Sequence, residues 1–75
     1  MPFDERYRTL MGSDLERDGM FLELWDHSTD TLALWAFYSD ADGSMEFERY
    51  RDDVPADVES WFKDEARRRL PPVQD

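Results

Sequence analysis

MFLELWDHSTDTLALWAFYSDADGSMEFERYR, residues 20–51, decides the fold. Within it three runs rich in aromatic and aliphatic residues, 20–27, 31–39 and 44–51, are broken by short polar stretches, the pattern of antiparallel strands joined by hairpins. Asp40-Ala41-Asp42-Gly43 joins the last two runs. Asp-Gly favours a tight two-residue turn at Asp42-Gly43, because both residues tolerate positive φ. A shorter polar turn around Ser28–Asp30 joins the first two.

A second Asp-Gly, Asp18-Gly19, stands immediately before residue 20 and points to a further strand upstream, about 9–16. Phe3, Tyr7, Leu10, Met11 and Leu15 also fit a helical stripe, so this end reads as a strand, a helix or a lid. Downstream the period changes. Val58, Trp61, Phe62, Ala66 and Leu70 recur every three or four residues, which predicts a helix over about 55–70. Pro55 suits its first position, Asp57 and Glu59 its positive end, Arg67, Arg68 and Arg69 its negative end, and Pro71-Pro72 its stop. The expected architecture is α+β, a small antiparallel β-meander of three or four strands with one C-terminal α-helix packed on one face, in a single domain over 1–75.

Alternation along the strands separates two faces of the sheet. With Phe21 opposite Phe37 and a two-residue turn at Asp42-Gly43, one side holds Met20, Leu22, Leu24, Leu32, Leu34, Ala36, Tyr38, Met45 and Phe47. That side should receive the helix. The other holds Phe21, Trp25, Trp35, Phe37 and Tyr50, interleaved with Glu23, Glu46 and Glu48. In this register Trp35 lies across from Glu23 and Tyr50, and Phe37 from Glu48.

A solvated outer face does not usually carry five rings, and one helix cannot cover both sides of a sheet. Residues 1–15 could fold over the rings, a second copy could bury them, or another protein could bind them. A one-residue slip in register would dissolve the pattern altogether. Stacking two copies face to face would crowd the three glutamates unless they find Arg6, Arg8 or Arg17.

Nineteen acidic residues against nine Lys and Arg give 9 − 19 = −10, of which −9 falls in residues 1–48 (twelve acids, three Arg). A nucleic-acid or anionic-lipid surface needs the opposite sign, so neither is an expected partner. With no cysteine there is no disulfide and no thiolate metal site. No apolar run reaches the roughly 18 residues of a membrane span, and MPFDERYR lacks the apolar segment of a signal peptide, so a cytoplasmic location is expected.

Little points to chemistry. The single His27 stands beside Asp26 and Asp30, a pairing that could serve a general base but reads more simply as a turn histidine. Asp40 and Asp42 match two positions of a calcium loop, but Tyr38 and Arg49 fall where its first and last carboxylates belong. No catalytic residue, metal or cofactor is expected. The sequence reads as a small acidic, non-enzymatic interaction module of inhibitor-like or immunity-like character, engaging a basic protein partner through Phe21, Glu23, Trp25, Trp35, Phe37, Glu46, Glu48 and Tyr50. The alternative is a constitutive homodimer built on the same face.

Overall fold

The computed structural model describes residues 6–71; Phe3 and Pro72 lie outside them. Four strands, β1 (Tyr7–Asp14), β2 (Gly19–Asp26), β3 (Thr31–Ser39) and β4 (Met45–Arg49), form one antiparallel sheet in the order β1-β2-β3-β4. Helix α1 (Ala56–Arg69) follows and packs on one side. The fold is thus an α+β meander, as the residue pattern predicts.

Each of the three hairpins closes through four residues, Leu15–Asp18, His27–Asp30 and Asp40–Gly43, against the two expected at Asp42-Gly43 and the three around Ser28–Asp30. The last residue of each takes the left-handed backbone, Asp18 and Asp30 with φ 54° and Gly43 with φ 73°. Asp and Gly are among the few residues that enter that region at low cost. The aspartates Asp14 and Asp26 stand where the first two loops begin. Asp14 Oδ1 accepts the backbone N–H of Glu16 and Arg17, each at 3.1 Å. Asp26 Oδ1 accepts that of Ser28 at 3.0 Å.

These longer loops correct three expectations. Strand β1 ends at Asp14, two residues early, and Gly19 lies in β2 and not in the turn. The β3–β4 register shifts by two residues, so Trp35 pairs with Glu48 rather than Tyr50, and Phe37 with Glu46 rather than Glu48. A two-residue shift preserves parity, so the residues of β4 keep their predicted faces. Strand β4 also stops at Arg49, leaving Tyr50 just beyond it, its N–H on the carbonyl of Ala33.

The β2–β3 register matches Phe21 to Phe37 and Glu23 to Trp35. It is interrupted once, by a bulge between Leu24 and Trp25. The bulge inserts Ala33 into the core and pairs Leu32 with Trp25, so Leu32 leaves the helix side where simple alternation had put it.

The core forms where α1 lies on the sheet. Val58, Phe62, Ala66 and Leu70 meet Leu22, Leu24, Ala33, Leu34, Ala36 and Tyr7, with Met20, Tyr38, Met45, Phe47 and Trp61 packed around them. Pro55 caps the helix from outside, with ψ 147°, rather than starting it, and its carbonyl accepts the N–H of Glu59. Arg68 and Arg69 pair with Glu65, and Arg67 with Asp64. Lys63 and Arg67 lie over the Phe47 ring and shield its outer side.

One buried carboxylate ties the sheet to the segment that leads into the helix. Asp26 is 1% exposed. Its Oδ2 accepts Arg51 at 2.9 Å and Arg6 at 3.3 Å, and its Oδ1 accepts the Ser28 hydroxyl at 2.6 Å. Arg51 donates further to Thr29, Thr31 and Asp53. The Ser28 hydroxyl, then Arg6, hold the Asp26 carboxyl down at about 2, against the upward push of burial.

Candidate functional site

None of the eight residues singled out from the sequence belongs to the core beneath the helix. The ladder arranges seven of them in cross-strand rows, with Tyr50 just past the end of β4. Gly12, Phe21, Phe37 and Glu46 form one row, and Leu10, Glu23, Trp35 and Glu48 the next. Arg8, Trp25 and Leu32 form the third. Directly opposed side chains on one face lie about 5 Å apart at Cβ. Trp35 therefore stands between two carboxylates, Glu23 on β2 and Glu48 on β4.

Those carboxylates are held in place by neighbouring rings. Trp25 Nε1 donates to Glu23 at 3.0 Å, and the Tyr50 hydroxyl donates to Glu48 at 2.7 Å. The Glu48 hydrogen bond, helped by burial, raises the Tyr50 phenol above its ordinary value. A carboxylate has several lone-pair sites, and one accepted bond leaves the rest open to a cation.

The upper row is closed from within. Trp35 and Phe37 stack at 5.7 Å with their planes 7° apart. Arg17, from the β1–β2 loop, sits 4.2 Å over the Phe37 ring and 5.4 Å from that of Trp35, and donates to Glu46 at 3.3 Å. Phe37 also lies across Gly19, whose missing Cβ leaves room for the ring. As a result Phe37 is only 3% exposed, while Phe21, Trp25 and Trp35 are half-buried and Tyr50 is 52% exposed.

Among the described residues, 6–15 form no lid over the rings, and the rest of the expected lid, with Phe3, lies outside them. Residues 7–14 are an edge strand, Tyr7 is buried on the helix side, and Leu10 and Met11 are exposed. Arg17 was the one of the three candidate arginines to reach a glutamate of the face; Arg6 is drawn to Asp26 instead. Alternation alone could not show that a loop residue would return onto the sheet.

Beside the third row an open hollow of about 260 Å³ is lined by Arg8, Thr9, Leu10, Trp25, His27 and Asp30. His27 is exposed, and Asp26 is engaged by Arg6, Arg51 and Ser28. Asp42 accepts the N–H of Ser44, which acts as turn chemistry and lowers its pKa. Among the described residues no group of three or more His, Cys, Asp or Glu side chains is placed to hold a metal ion, and no helix is long and apolar enough to cross a membrane. Comparison with known proteins finds no matching family model, curated sequence or solved structure.

Proposed function

We propose that this chain is a non-enzymatic, acidic interaction module that binds a basic protein partner through the ring-bearing face, in the manner of small inhibitors or immunity-type proteins. The observation that carries this reading is Trp35 between Glu23 and Glu48, with each carboxylate oriented by a ring donor. A lysine or arginine side chain can lay its aliphatic stem on the indole and place its charged head against a carboxylate. The resident Arg17 supports the same chemistry, since a guanidinium already lies on these rings. A net charge of −10 steers a basic protein toward the face and repels acidic ones. The alternative, two ring faces stacked in a homodimer, is less complementary, because it sets three glutamates of one copy against a face that carries the same three.

The test is titration with a short arginine- and lysine-rich peptide, followed by tryptophan fluorescence. Saturable binding that weakens with added salt is expected. Trp35→Ala should weaken it about 30-fold, a hot-spot loss of about 2 kcal/mol, with the far-UV circular dichroism unchanged. Equal binding by Trp35→Ala and wild type, or no saturation, would remove the ring face from the account.

A further inference from the structure

Strand β1 is one edge of the sheet, and its chemistry is unlike that of the rest of the chain. Residues 9–13, Thr-Leu-Met-Gly-Ser, carry no charge in a chain whose net charge is −10. Leu10 is 55% exposed and Met11 40%. Exposed edges are usually guarded by charged side chains, proline or shortness. The opposite edge, β4, follows that rule, with five residues that include Glu46, Glu48 and Arg49. β1 does not.

The direction of its free backbone groups follows from one hydrogen bond. The Arg6 carbonyl accepts the N–H of His27 at 2.6 Å, so the even-numbered residues of β1 face β2. The backbone N–H and C=O of Thr9, Met11 and Ser13 therefore point away from the sheet. An added antiparallel strand can pair through these residues.

We propose that β1 pairs with β1 of a second copy about a two-fold axis at Met11, joining two meanders into one eight-stranded sheet. Only outward-facing residues can form the hydrogen-bonded pairs, which limits the register to those matching odd residues with odd. Centring on Met11 pairs Thr9 with the partner's Ser13 and Leu10 with the partner's Gly12. It also pairs Arg8 with the partner's Asp14, twice by symmetry. The strand is thus self-complementary in charge: its cation and its anion lie three residues either side of Met11. The Leu10 side chains join the ring side of the extended sheet and the Met11 side chains the helix side.

Net charge works against association, since each copy carries −10. Added salt should therefore strengthen the dimer by screening that repulsion, the reverse of its effect on a basic peptide.

Cysteine scanning tests the register, because the chain has no cysteine of its own. The two Met11 Cα atoms would be about 5.5 Å apart, within the range of roughly 4.4–6.8 Å that a disulfide spans. The two Arg8 Cα atoms would be roughly 20 Å apart, six residues along the pair. Met11→Cys should cross-link on mild oxidation and Arg8→Cys should not. In sedimentation the wild type should show a concentration-dependent dimer, and Met11→Lys, which sets two cations on the axis, should lose it. In the wild type, the amides of Thr9, Met11 and Ser13 should gain exchange protection as concentration rises. A wild type that stays monomeric at millimolar concentration overturns the proposal, as does equal cross-linking at positions 8 and 11.

Discussion

Gly19→Ala is expected to remove a large share of the stability of this chain, a loss of more than about 3 kcal/mol in denaturant unfolding. A Cβ at position 19 would lie 2.1 Å from the backbone carbonyl oxygen of Tyr38 and 2.5 Å from the Phe37 ring. The first neighbour is part of the β2–β3 ladder and cannot retreat without breaking pairing. The second is wedged between Gly19 and Arg17. A domain of this size holds about 4–11 kcal/mol in total, so the substitution consumes a large share of it.

Two other glycines set the scale. At Gly12 the added Cβ meets only the far end of the Phe21 ring at 2.8 Å, which a rotation of that side chain relieves. At Gly43 the nearest atom is the Tyr38 hydroxyl at 3.7 Å, and the penalty is that of the positive φ, about 1 kcal/mol. The order of destabilisation should be Gly19 well above Gly12 and Gly43. If Gly19→Ala unfolds no more readily than Gly43→Ala, the close approach of β2 to Tyr38 described above is incorrect.

The comparison of these glycines also shows what a single sequence reveals. Alternation in Phe21-Leu22-Glu23-Leu24-Trp25 and a change of period at Val58 pointed to a meander of three or four strands, one helix and two dissimilar faces. Both signals are local and repeat along the chain. What stayed hidden was set by single residues acting across strands. Asp42-Gly43 looks like a two-residue turn because Asp-Gly favours positive φ at both positions. Each loop instead uses that freedom once, at its fourth residue, and in the first two an aspartate four positions earlier caps the start. The spacing Asp14–Asp18 and Asp26–Asp30 was a readable sign of the first two four-residue loops. The bulge at Ala33 and the return of Arg17 onto Phe37 have no comparable sign, because neither follows from the period of its own strand.

The same distinction governs Asp26, which alternation places on the helix side of β2 as if it were one more core position. Asp26→Asn is expected to cost on the order of 3 kcal/mol at neutral pH. The amide keeps an acceptor for Ser28 but turns N–H donors toward the guanidinium groups of Arg51 and Arg6, donor against donor. Arg51 would then lose its charged anchor on β2 and keep only the hydroxyls of Thr29 and Thr31 on that side. Its own pKa is raised by Asp53 first and by Asp26 as well, and Asp53 lies on the same segment as Arg51. The pH dependence has a definite sign. The Asp26 carboxyl titrates at about 2 in the folded chain against an ordinary 3.8, so the unfolded chain takes up the proton first on acidification. Its contribution is complete above about pH 4 and is lost as pH falls toward 2. Glu59 acts in the same direction: burial draws its pKa up, but Lys63 and Arg49 hold it below the ordinary value. Wild-type stability should therefore decline between pH 4 and 2, and the gap between wild type and Asp26→Asn should close over the same interval. A gap that stays constant from pH 7 to pH 2 would mean that the charge of Asp26 contributes nothing to the fold, and that its hydrogen bonds alone account for its burial.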